Sequence, residues 1–292
     1  MSSKSKIIIS CLFLYFLMQA GHIFSQDNTL GSDSLYNDSS YLGQKTPGMK
    51  PEIFAPGIIS TDANEHSCAF YPDGREFYFT RIINRIPTIM VTKLIEGKWT
   101  TPAITSFSGT YNDRLPSISP DGQKLFFESI RPFPTPESKE GHKIWMVERS
   151  GSDWGKPQPL DLKFEGRIAG ISMSNDGTLY GKGIAKISYV DGHYQNPVML
   201  NSKIIGDYPF IAPDESYILY CSGSQRNITV SFQNENGNWE PPRLLTSEED
   251  SYWIQGFPMV SPDGLYLFFT ADHDIYWMDA KVIFDLEPVK IK

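Results

Sequence analysis

Ser119-Pro120-Asp121-Gly122 and Ser261-Pro262-Asp263-Gly264 each stand between two runs of strand-forming residues, as in Pro116-Ser117-Ile118 before the turn and Lys124-Leu125-Phe126-Phe127 after it. Proline presets φ at the second turn position, aspartate bonds its own backbone, and glycine accepts positive φ, so the stretch predicts a tight β-hairpin. Tyr71-Pro72-Asp73-Gly74, Ser174-Asn175-Asp176-Gly177 and Ala212-Pro213-Asp214-Glu215 are variants of it. Recurrence at a period of roughly forty to fifty residues predicts a repeat architecture.

Alignment on the turn gives an apolar column three places beyond the glycine: Phe77, Leu125, Tyr180, Ile218 and Leu267. The next two columns read Tyr78, Phe126, Gly181, Leu219, Phe268 and Phe79, Phe127, Lys182, Tyr220, Phe269. Continuous apolar runs predict strands covered on both faces. Further on, an aromatic followed three places later by proline recurs: Trp99 with Pro102, Trp154 with Pro157, Tyr194 with Pro197 and Trp239 with Pro242. Segments 88–94, 143–148, 185–190 and 227–232 read as third strands. Ala103-Ile104, Pro159-Leu160, Val198 to Leu200 and Leu244-Leu245 read as fourth strands at an edge, where proline is tolerated.

Four strands per unit is the arithmetic of a propeller blade. The fifth unit ends after Asp274 to Met278, one strand short, while Phe54-Ala55-Pro56-Gly57-Ile58-Ile59 resembles a fourth strand placed before the first hairpin. The expected fold is therefore all-β: a five-bladed β-propeller of four-stranded antiparallel blades, its last blade completed by an N-terminal strand that removes the open edges. Val282 to Lys292 is expected on the rim.

Ser-Pro-Asp-Gly before an apolar strand, with Ile275-Tyr276-Trp277-Met278 later, resembles the WD-repeat-like propeller repeat of TolB-type periplasmic proteins over about residues 51–280. The resemblance implies a protein-binding or ligand-binding scaffold. Asn175 for proline, Glu215 for glycine and the Gly181-Lys182 break depart from the pattern and point to an irregular third blade.

Residues 1–25 read as a secretory signal: Lys4 and Lys6 precede the apolar run Ile7 to Met18, with a cleavage site at Phe24-Ser25. Export to the periplasm or outside the cell follows. A lipoprotein anchor at Cys11 fits poorly because the apolar run lies mostly after it. Gly21 and His22 interrupt the run below the ~20 residues of a membrane span, so no transmembrane segment is expected in the mature chain. Residues 26–50, polar and aperiodic, read as a flexible leader in which Tyr36 and Tyr41 are solvated, and residues 51–292 as the propeller. Cys68 and Cys221, in different units, read as small buried hydrophobes. The net charge of −8 over 292 residues, without a basic stripe, argues against a nucleic-acid partner. A monomer is expected.

No Gly-x-Ser-x-Gly, His-Glu-x-x-His, phosphate-binding glycine loop or Cys-x-x-Cys is present. Candidate residues therefore come from position. Seven places before the turn proline stand Glu65, Asp113, Ile168, Gly206 and Gln255; six places before stand His66, Arg114, Ala169, Asp207 and Gly256. In a propeller these lie at one mouth of the central channel. Arg167, Tyr208 and Trp253 join them, and the loops after the second strands add Arg81, Arg131 and Lys182. One reading pairs Glu65, Asp113 and Asp207 locally with His66, Arg114 and Arg167. Another makes the mouth a pocket for a protein partner or envelope glycan. A third makes Glu65, Asp113 and Asp207 the acid, base and modulator of a glycoside hydrolase, whose carboxyls stand ~5–5.5 Å or ~6.5–9.5 Å apart. A fourth is a structural envelope component using its rim and leader. No cofactor or metal is expected, the histidines being in separate units.

Overall fold

A computed structural model of the chain describes residues 40–132, 134, 142–160, 162, 170–181, 183–200, 203–223, 227–245 and 254–288. They form five antiparallel four-stranded blades around a channel, and almost no helix. Blade I is Glu65–Phe70, Glu76–Ile83, Ile86–Ile95 and Ala103–Ile104. Blade II is Asp113–Ile118, Lys124–Ser129, Lys143–Ser150 and Gln158–Pro159. Blade III has shorter strands: Ile171–Met173, Leu179–Gly181, Ala185–Ile187 and Val198–Met199. Blade IV is Asp207–Ile211, Tyr217–Ser222, Asn227–Phe232 and Arg243–Leu244. Blade V joins Ile254–Val260, Tyr266–Ala271 and Asp274–Asp279 to Glu52–Ile53.

The hairpin chemistry is the same in every blade. The first carboxylate oxygen of Asp73, Asp121, Asp176, Asp214 and Asp263 accepts the N–H two residues on, at 2.8–3.0 Å. Where serine opens the turn, its hydroxyl donates to that same carboxylate, as from Ser119, Ser174 and Ser261. The fourth turn residue is left-handed throughout: Gly74, Gly122, Gly177 and Gly264 at φ 70–83°, and Glu215 at φ 61°. Asn175 differs from proline for a reason, because its N–H donates to the Pro213 carbonyl of the next blade (2.8 Å).

Second strands are buried on both faces, with Phe77, Tyr78, Phe79, Leu267 and Phe268 fully so, and they stack blade on blade. The aromatic that precedes proline has its own part: Lys98–Trp99 extends the third strand of blade I as a short hairpin before the fourth strand pairs farther in.

Blade V closes as expected, but at a different place. Glu52 pairs with Trp277 and Ile53 with Tyr276, and Phe54 N–H reaches the Ile275 carbonyl at 2.8 Å. Residues 54–59 are not the strand. Pro56-Gly57 turns the chain back, with Ala55 at φ 43° and the Ala55 carbonyl accepting from Ile58 and Ile59. Phe54 is wholly buried against Phe77, Phe268 and Trp277. Tyr41, expected as a solvated linker residue, is buried among Phe70, Tyr266 and Trp277, and its hydroxyl donates to Asp263 Oδ2 (2.6 Å). An aromatic slot and an acceptor at one spot outweigh a polar local sequence. Tyr36 lies outside the described residues. After blade V a short helix, Lys281–Phe284, buries Ile283 against blades IV and V.

Candidate functional site: the central channel

All five blades carry a left-handed residue five places before the turn's second residue, on the inner strand or, in blade III, just before it: Ser67 (φ 46°), Leu115 (58°), Gly170 (71°), Tyr208 (55°) and Phe257 (57°). In blades I, II, IV and V the ladder register shifts at that point, the mark of a β-bulge. Pro116, Pro209 and Pro258 follow three of the five. A proline narrows the backbone choices of the residue before it, and positive φ is costly for a bulky side chain, so Leu115, Tyr208 and Phe257 are held under strain by their surroundings.

Three of the five left-handed residues turn an N–H toward the preceding blade. Ser67 N–H is accepted by Thr270 Oγ1 (3.0 Å), Leu115 N–H by Thr80 Oγ1 (3.2 Å) and Gly170 N–H by Glu128 Oε1 (3.0 Å). Thr80, Glu128 and Thr270 share one column, eight places after the turn's second residue, which Gly183 and Cys221 fill in blades III and IV. The five left-handed residues mark one level of the channel, its waist. Between it and the hairpin prolines Pro72, Pro120, Pro213 and Pro262 lies a cavity of about 430 Å³. Its wall is mainly apolar, with Phe70, Ile118, Ile171 and Met259, and polar through Ser117 and Ser172.

Of the residues predicted from sequence, Tyr208 lies at the waist itself, and Glu65, His66, Asp113 and Arg114 precede it on their inner strands, where they divide. Glu65 is fully buried: its Oε1 takes Arg81 Nε (2.6 Å) and the Thr61 hydroxyl (2.7 Å), and Arg81 Nη2 donates to the Ile58 and Ile59 carbonyls. Asp113 is equally buried and takes Arg131 Nη2 (2.8 Å), whose guanidinium lies against Tyr111, Phe127 and Trp145. Burial holds the Asp113 carboxyl above its usual range despite Arg131 and neighbouring hydroxyls. These pairings replace the local ones with His66 and Arg114. Consecutive strand residues point to opposite faces, whereas Glu65 and Arg81 are cross-strand partners.

His66 and Arg114 form a second group with two residues the sequence reading did not select. Arg114 Nε and Nη2 each stand 3.1 Å from Glu128 Oε2, and His142 Nδ1 is 3.8 Å from the same oxygen. His66 lies over Phe257 (ring centroids 5.3 Å apart), which packs on Tyr208 (4.3 Å). Burial first, and the Arg114 charge second, push the imidazoles of His66 and His142 down to about 4. Both are neutral at pH 7. The signal for Glu128 was its column, a carboxylate where blades I and V have threonine; His142, six residues after the last proline of a proline-rich stretch, gave none. Asp207 is half-exposed and pairs with Cys221 in the ladder. Gln255 lies on the inner strand of blade V; its side chain, and Arg167, Lys182 and Trp253, are outside the described residues.

The chain shares its fold with TolB-type propellers. It is similar to TolB from Acinetobacter baumannii, with a TM-score of 0.52 at 17% identity over 77% of this chain and 54% of that one. The putative TolB from Agrobacterium tumefaciens follows with a TM-score of 0.48, 18% identity and coverage of 76% and 73%. A periplasmic gluconolactonase of Pseudomonas aeruginosa gives 0.44, 15%, 70% and 64%. The chain thus spans about half the length of the first of these. No family model matches the chain, and no curated protein matches it in sequence. Among the described residues no helix is long and apolar enough to cross a membrane, and no group of three or more His, Cys, Asp or Glu side chains is placed to hold a metal ion.

Proposed function

We propose that the chain is an exported, TolB-type scaffold that binds a protein partner or an envelope glycan, without catalysis, at the channel mouth holding His66, Arg114, Glu128 and His142. The observation that carries this reading is the waist: backbone strain repeated at Leu115, Tyr208 and Phe257 persists only where surrounding structure enforces it, and such strain gathers at sites of recognition. The mouth beside it combines aromatic rings with an arginine and two imidazoles, a composition suited to polar ligands. Catalysis by Glu65 and Asp113 is disfavoured, since each is buried against an arginine and away from the channel cavity. The test is binding of the full chain to an envelope extract and a glycan panel, with Tyr208→Ala at the mouth and Ile104→Asp on the rim as variants. Loss with the first alone supports the reading. Loss with the second alone moves the site to the rim, and release of reducing ends from any glycan overturns the non-catalytic assignment.

A further inference from the structure

The cavity between the waist and the hairpin turns is lined by neither His66 nor Arg114. On its wall Pro72, Ser117, Ile118 and Pro120 are half-exposed, and Pro213 and Pro262 exposed, so solvent reaches it from the turn side. Its volume of about 430 Å³ falls within the range of small-molecule sites, about 300–1,000 Å³.

The wall decides what can enter. Among the described residues that line it are seven prolines and no Asp, Glu, Lys, Arg or His. An ionised group would lose its water there without gaining a partner, so the ligand is uncharged. Proline has no N–H, and those of Ser67, Leu115, Gly170 and Ile211 are already accepted by the preceding blade. Hydroxyls are the donors that remain. The column three places before the turn's second residue reads Ala69, Ser117, Ser172, Phe210 and Met259, and all five line the cavity. Hydroxyls thus stand on neighbouring blades II and III, and apolar side chains on blades IV and V. The Ser172 oxygen accepts the Ile211 N–H (3.0 Å), which leaves its proton to donate. The Ser117 side chain makes no hydrogen bond among the described residues, so its hydroxyl is free as well. A ligand carbonyl accepts from such hydroxyls and brings no proton of its own to satisfy, unlike a ligand hydroxyl.

We propose that this cavity is a second site, which binds an uncharged, mainly apolar small molecule through a carbonyl oxygen, with Ser117 and Ser172 donating and Phe210 and Met259 packed on its frame. The test is a titration of the full chain with benzophenone, followed through the methionine methyl resonances. Diphenylmethane supplies the same frame without the carbonyl, and para-benzoylbenzoate is the charged arm. The Met173 and Met259 methyls, on the cavity wall, should shift, and those of Met49 and Met199, outside it, should not. Diphenylmethane should bind about fivefold more weakly than benzophenone, the effect of one hydrogen bond, and para-benzoylbenzoate more weakly still. Ser172→Ala also removes the acceptor of the Ile211 N–H, so Ser117→Ala, which breaks no bond within the protein, is the cleaner variant. It should weaken benzophenone about fivefold and leave diphenylmethane unchanged. Equal affinity for benzophenone and diphenylmethane overturns the carbonyl assignment, and tighter binding of para-benzoylbenzoate overturns the uncharged one. No shift of Met173 or Met259 with any probe removes the site altogether. Each of these results leaves glycan or protein binding at the channel mouth to its own test.

Discussion

His66 and His142 are the residues whose charge state the fold alters most usefully. Their imidazoles sit at about 4 rather than 6.5, so between those values the unfolded chain binds protons that the folded chain does not. Stability is therefore intact above pH 6.5 and falls as the pH drops towards 4, by up to about 1.4 kcal/mol per pH unit for each group. Asp113, raised instead of lowered, acts in the opposite sense and offsets part of this on acidification. Denaturant midpoints measured at pH 7 and pH 4.5 should differ, and His66→Gln should reduce the difference. A flat profile over that window would show that the imidazoles are solvated. His66 and Arg114 were legible because they are polar in a column before a strand. Glu128 was not, because the frame was read for apolar repetition and the alternation that aims its side chain inward lies farther along.

Ring closure shows best how far an element can be read. That a strand before residue 60 would complete blade V was legible from the missing fourth strand; its location at Glu52–Ile53 was not, because the apolar Phe54 to Ile59 matches the edge-strand pattern while Pro56-Gly57 breaks it. Two ladder pairs are few, so Phe54 and Tyr41 hold the element by packing. Phe54→Ala should cost about 3–5 kcal/mol in chemical denaturation. Tyr41→Phe, which removes only the bond to Asp263, should cost about 1 kcal/mol. Equal effects would mean that the rings contribute little. Among the hairpins, Ser261→Ala removes both the donor to Asp263 and the acceptor of Tyr266 N–H, and about 1 kcal/mol should follow.

Fivefold repetition was the most legible property of the whole molecule, since turn chemistry recurs in sequence whenever it recurs in space. The waist was written there as well, in Leu115-Pro116, Tyr208-Pro209 and Phe257-Pro258, but a dipeptide reveals left-handed φ only once the bulge is seen. The blades are stitched by the N–H groups that the bulges release. Thr80→Val removes the acceptor for Leu115 and the partner of the Ser67 hydroxyl, joining blade I to blade II and to its own inner strand. It should cost about 1–3 kcal/mol and speed hydrogen exchange at Leu115 more than at Gly170. Equal exchange would show that the stitch is not the local constraint.

Closure by Glu52–Ile53 also makes the molecule a circle with one removable seam. Residue 53 lies beside residue 276 although most of the chain separates them, so the last ladder of blade V is its one long-range pairing. Contacts of such long range form slowly, and until they do the outer edge of Asp274–Asp279 has no partner. Moving the chain break to a rim hairpin such as Glu96-Gly97, with the old ends joined, would make every blade continuous in sequence except blade I. The permuted chain should complete blade V early, and its refolding rate relative to the natural order would measure how much of the folding barrier belongs to the seam.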